Sequence, residues 1–144
     1  MSHLFYANVE KKELHVNLFD ETAEKYADKF VGKDYSGKPC GVGRTQLRRL
    51  YNEVKRFEQK LDETSESWEN ILTHIKMIKS KASYNIYRAR ENAKNKSVFD
   101  ELSKFIKDGI DAVKEKNDYR VFAALFEAVY GFYYEKSKDF EQGN

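Results

Sequence analysis

The residues Leu47, Leu50, Val54, Phe57 and Leu61 recur at steps of three, four, three and four, a spacing that a helix gathers into one apolar seam and a strand scatters over both faces. The same kind of spacing returns along most of the chain, and it predicts an all-α fold. The expectation is a compact, mostly antiparallel bundle of about five helices with no convincing strand, built as a single domain over residues 1–144. Residues 1–16 read as an N-terminal extension. A first helix runs from a cap at Asn17, with Asp20 and Glu21 in its first turn and Phe19, Ala23, Tyr26 and Phe30 on one face, to about Val31. The seam helix begins at Thr45 and extends for about 18 residues. Thr64, Ser65 and Ser67 are alternative caps for a third, which carries Trp68, Ile71, Leu72, Ile75, Ile78 and Ala82 and has room to continue to Lys94. Ser97-x-x-Asp100 has the form of a capping box for a fourth, burying Leu102, Phe105, Ile106, Ile110 and Val113 and ended by the "KND" of 116–118. Asn117 or Asp118 caps a fifth, with Phe122, Leu125, Phe126, Val129, Phe132 and Tyr133, before a polar tail expected to fray.

Between the first two helices lies "GKDYSGKP", Gly32 to Pro39, which matches the phosphate-gripping pattern G-x-x-x-x-G-K-[ST] at every fixed position except the last. The missing hydroxyl would ligate magnesium, and its backbone N–H would open the phosphate-binding helix; proline offers neither. A P-loop also follows a buried strand, whereas Gly32 follows a helical pattern. With Gly37, Pro39 and Gly41 inside it, the 32–43 stretch is expected to be a flexible glycine-rich linker, mobile or variable in its course.

Composition narrows the function classes. At 144 residues the chain can bury one core. No apolar run approaches the roughly 18 residues of a membrane span, and charge interrupts the N-terminal segment too early for a signal peptide, so a cytoplasmic protein is expected. One cysteine, Cys40, excludes an internal disulfide and reads as a bystander thiol; His3, His15 and His74 have no metal-ligand spacing. No cofactor or metal is expected. The net charge of +2 is unevenly spread: residues 1–43 carry six Lys/Arg and seven Asp/Glu, residues 44–96 thirteen and seven, and residues 97–144 seven and ten. A basic middle segment suits a polyanion.

That segment opens against the helix dipole. "GRTQLRRLY" places Arg44, Arg48 and Arg49 where Asp or Glu is favoured, and an anion such as phosphate would relieve the conflict. At about 100° per residue, Arg44, Arg48 and Lys55 form one basic edge and Arg49, Arg56 and Lys60 another, on either side of the seam. Phe and Tyr residues on the seams are core; Tyr84 and Tyr87 fall off the Trp68 face among Lys79, Lys81, Arg88 and Arg90.

"TQLRRLYNEV", "IKSKASYNIYRAR" and "FAALFEAVYGFY", in that order across residues 45 to 134, resemble the small subunit of type III-A CRISPR effector complexes. Ser80 departs from that family's pattern, where proline is expected, and leaves open whether the third helix is broken there. The resemblance implies a non-catalytic RNA-binding protein that stacks in several copies beside the crRNA-holding backbone subunits, with target cleavage belonging to a backbone subunit and DNA cleavage and cyclic oligoadenylate synthesis to the large subunit. It implies crRNA and target RNA as partners, contacted through Arg48, Arg49, Lys79, Lys81 and Arg88; helix geometry adds Lys55 and Arg56. Stacked copies and an aromatic-rich last helix predict a dimer or higher species. Two other classes remain at this point: a helical adaptor that binds proteins only, and a metal-dependent nuclease built on Glu53, Glu58 and Asp62.

Overall fold

The computed structural model describes residues 3–63 and 65–141. Two small antiparallel pairs accompany the helices: β1 (Tyr6–Asn8) with β2 (Glu13–Leu14), and β3 (Val31–Lys33) with β4 (Pro39–Gly41). Helices α1 (Ala23–Lys29), α2 (Arg44–Glu63), α3 (Trp68–Glu91), α4 (Ser97–Asp111) and α5 (Lys116–Lys136) form the predominantly helical body. Strands were not expected, because two or three residues are too few to display alternation.

The β3–β4 pair occupies the stretch expected to be a flexible linker. Its turn is held by Asp34, whose Oδ1 accepts from the Ser36 amide (2.8 Å), the Ser36 hydroxyl (2.6 Å) and the Lys38 amide (3.0 Å). These bonds, the Ser36 hydroxyl first, lower the Asp34 pKa. Gly37 sits at φ +85°, a region that glycine enters freely. The near P-loop is thus a hairpin whose own carboxylate takes the amides that a phosphate would need. Gly41 is required for a different reason: a Cβ there would stand 2.5 Å from the Phe30 carbonyl and 2.9 Å from the Tyr133 hydroxyl.

The first helix enters through a π turn, Leu18–Thr22. Its wider turn shifts the phase, so Leu18 is fully buried while Phe19 is 40 % exposed, contrary to the expected face. Asn17 makes no cap bond to the backbone. Ser67 caps α3 by accepting from the Asn70 amide (3.2 Å); Thr64, another of the three candidates, lies outside the described residues. The helix passes unbroken through Ser80, whose hydroxyl bonds the Met77 carbonyl. At α4 the expected Ser97–Asp100 box is replaced: Asn95 accepts from the Ser97 amide and hydroxyl, and Asp100 binds Arg90 (2.7 Å). Helix α4 ends at Asp111, and Asp118 closes the start of α5 by accepting from the Lys114 and Glu115 amides. Tyr6 donates to the other oxygen of Asp118 (2.5 Å); burial first, then that carboxylate, push the tyrosine up to about 12, so it remains a donor at neutral pH.

Helix α5 is the centre. Tyr119, Phe122, Ala123, Leu125, Phe126, Val129 and Tyr133 are completely buried, whereas Tyr130 and Phe132 are half-buried and Tyr134 is exposed. Phe105 of α4 ties the layers together, with ring centroids 4.7 Å from Tyr26, 5.8 Å from Phe30, 5.7 Å from Phe122 and 5.3 Å from Phe126. Buried hydroxyls find backbone carbonyls: Tyr119 bonds Val54 (2.7 Å), and Tyr133 bonds Phe30 and Val42. Partners Arg44–Tyr134, Tyr51–Glu127 and Asp62–Arg120 run in opposite order along α2 and α5, as Lys79–Asp111 and Arg90–Asp100 do along α3 and α4. Both pairs are antiparallel.

The start of α2 is clamped rather than open. Arg44 is buried; its Nε donates to the Ser137 hydroxyl (2.6 Å), its Nη2 to the Tyr134 carbonyl (2.6 Å), and its guanidinium lies 3.9 Å from the Tyr134 ring centre. Glu141 accepts from the Arg44 amide (2.8 Å). The anion expected at this dipole is therefore a carboxylate of the same chain, and Arg44 is removed from the basic surface. The tail through Glu141 is packed, not frayed.

Two helical glycines have opposite effects on stability. A Cβ at Gly109 would run into the buried Phe122 ring, so Gly109→Ala lowers stability by about 2 kcal/mol despite better helix propensity. Gly131, exposed in α5 with nothing near its Cβ position, gains up to about 1 kcal/mol on the same change. Urea unfolding of both variants checks the opposite signs. Arg44→Met, which removes the guanidinium's bonds to the Ser137 hydroxyl and the Tyr134 carbonyl and takes the cation from the Tyr134 ring, lowers stability by about 2 kcal/mol in the same assay.

Candidate nucleic-acid interface

The alternation of the α2 seam hides a division. Leu47, Val54 and Leu61 are fully or almost fully buried, whereas Leu50 and Phe57 are half-buried and face a slot between α2 and α3. Ile78, Ala82 and Ile86 complete its apolar floor. The rims are basic. Arg49, Arg56 and Lys60 recur at seven and four residues along one edge of α2; Lys81 and Arg88, seven apart, answer from α3, and Lys94 follows beyond its end. Around Arg88 and Lys94 the slot is lined by amides, Gln46, Asn85, Asn92 and Asn95, and among the described residues by no acidic one, while Arg49 stands between this end and Glu53. The opposite end contains Glu53, Glu63 and Glu66.

Of the seven basic residues singled out in the sequence, Arg49, Arg56, Lys81 and Arg88 meet in this slot. Arg49 is exposed and makes no ion pair among the described residues. Arg56 Nη2 lies 2.6 Å from Glu53, and Lys81 Nζ 3.8 Å from the same carboxylate. Arg88 sits 5.6 Å over the Tyr84 ring, and its Nη1 is 3.5 Å from the Tyr84 hydroxyl. Arg48 is exposed and shares by helix geometry the other edge of α2, with Lys55. Lys55 turns toward α5, 2.8 Å from Glu58 and 3.6 Å from Glu127; the Glu58 bond first raises its pKa. Lys79 leaves the slot altogether and binds Asp111 of α4 at 2.5 Å. Tyr84 and Tyr87 stand exposed on the outer side of α3, as expected.

Sequence reasoning missed Lys94 and the amides as members of the slot. Lys60 was visible as an edge residue, but nothing in the sequence tells which side of α2 faces α3.

The three carboxylates considered for a nuclease point to different partners: Glu53 to Arg56, Glu58 to Lys55, and Asp62 to Arg120. Among the described residues no group of three or more His, Cys, Asp or Glu side chains could hold a metal ion. Burial, then the Asp34 charge, push the Cys40 thiol up, which keeps it protonated and a poor nucleophile. No helix among the described residues is long and apolar enough to cross a membrane.

No curated protein and no solved structure matches this chain significantly. A family model described as Csm2 Type III-A matches residues 13–138, a span that takes in all five helices and both halves of the Arg44 and Ser137 clamp. The chain therefore belongs to the Csm2 Type III-A family, whose members are small structural subunits of the type III-A Csm complex.

Proposed function

We propose that this subunit is a non-catalytic RNA-binding component of a cytoplasmic type III-A interference complex, stacking in several copies among the other subunits and contacting the backbones of crRNA and target RNA. The observation that carries the proposal is the acid-free end of the α2–α3 slot, where Arg88 and Lys94 gather and Arg49 faces Arg88 from the opposite wall. Cations at the rim meet phosphates, and side-chain amides such as Asn85 offer donors to phosphate and sugar oxygens. Such contacts position a strand without reading its sequence. Arg48, Lys55 and Lys79, outside the slot, engage RNA on the flanking faces; the Lys55 and Lys79 ion pairs are surface bridges of the weak kind that a phosphate can replace.

A protein-only adaptor is the second reading. Tyr84, Tyr87 and Met77 are exposed together on α3 and favour contacts with neighbouring subunits. The two readings separate in salt. Replacing Arg49, Lys81 and Arg88 with alanine weakens RNA binding about equally for unrelated sequences. It also flattens the slope of log affinity against log salt by about 0.7 for each phosphate no longer neutralised on single-stranded RNA. Replacing Arg48 and Lys79 gives a smaller loss with the same lack of sequence preference. Fluorescence anisotropy across a salt series measures both. A folded quintuple variant with wild-type affinity and slope removes the RNA reading in favour of the adaptor.

A further inference from the structure

One side chain joins the two walls of the slot. Glu53 of α2 holds its Oε1 2.6 Å from Nη2 of Arg56 on its own helix and 3.8 Å from Nζ of Lys81 on the facing helix. Among the described residues no other ion pair links α2 to α3. The carboxylate is partly exposed, at 29 %, so the pairing is accessible to solvent and contributes little to holding the helices together. Glu53 stands between the acid-free end around Arg88 and the end that also contains Glu63 and Glu66, with Arg49 as its neighbour.

A carboxylate and a phosphate seek the same donors, guanidinium and ammonium N–H groups. We infer that Glu53 is an internal counter-ion standing where an RNA phosphate would lie, so that RNA must displace it to engage Arg56 and Lys81. The inference rests on the RNA-binding reading and adds regulation of that same site. The carboxylate competes with the incoming phosphate for those two cations, holding affinity below what the cations alone would give. In an assembly of stacked copies, a weakened single site favours release of individual strands while the summed contacts retain the complex.

Glu53→Gln keeps the size of the side chain and removes the charge. Its binding to a labelled single-stranded RNA of mixed sequence, followed by anisotropy at low salt, is expected to tighten about five-fold, the effect of one screened charge at contact distance. Glu135→Gln, which neutralises an exposed carboxylate elsewhere on α5, is the control for net charge and should leave affinity within about two-fold, since separated surface charges are screened. In an Arg56→Ala/Lys81→Ala background the gain from Glu53→Gln should disappear, because the cations contested by carboxylate and phosphate are gone.

The inference is overturned if Glu53→Gln leaves affinity unchanged, if Glu135→Gln matches it, or if the gain survives the loss of Arg56 and Lys81. An Arg49→Ala/Arg88→Ala variant, measured alongside, reports on the RNA reading separately. Weakened binding there with no effect of Glu53→Gln leaves the RNA site standing and removes the counter-ion; no effect in either removes both. Thermal unfolding of each variant confirms that folded protein is compared.

Discussion

A helix that is apolar on nearly every side can be stable only at the centre of a bundle, and α5 imposes that constraint on everything around it. Its buried aromatics require neighbours, and α1, α2 and α4 supply them, with Phe105 of α4 lying against both Phe122 and Phe126. Glycine at 109 lets α4 come close enough to pack on the Phe122 ring. With the central helix so enclosed, α3 finds its partners chiefly on α4, through Lys79–Asp111 and Arg90–Asp100, and on the turn after it, through the indole of Trp68. Its approach to α2 stays loose. The slot is what remains, an architectural by-product of where the aromatic residues had to go.

The charge distribution uses that by-product. Basic residues at the start of α2 serve two ends that the sequence does not distinguish: Arg44 is turned inward to Ser137 and Tyr134, while Arg49, five residues on, stays at the rim. The dipole conflict that invites an external anion is settled by Glu141. What remains exposed is therefore surplus positive charge in a groove, a better argument for a polyanion than the dipole was.

Helices α2, α4 and α5 were legible because their apolar residues repeat at 3.6-residue spacing over four or more turns, and α3 because Ser67 and the isoleucines mark its start and face. The hairpin at 31–41 was not, since strands of three residues show no alternation and its turn is held by a single aspartate. The π turn was equally silent: it exchanges Leu18 for Phe19 by a change of phase that no composition records. At the site, the identity of the basic residues was readable but their grouping was not. Lys79 and Lys81 are two residues apart on a helix, about 200° around the axis, so one meets α4 and the other the slot. Which is which depends on the orientation of α3 on its neighbours, and that is tertiary information.

The chain has a single tryptophan, and its place turns it into a reporter. The Trp68 indole N–H donates to the Lys114 carbonyl at 2.9 Å, at the junction where α3 starts and α4 hands over to α5. Its ring sees the docking of α3 on the rest of the bundle and lies at the far end of α3 from Arg88 and Lys94. Intrinsic emission thus separates two responses of the slot to the RNA strand proposed for it. A strand laid on rigid walls leaves the indole undisturbed, whereas walls that open by lifting the start of α3 from Lys114 break its bond there and shift the emission.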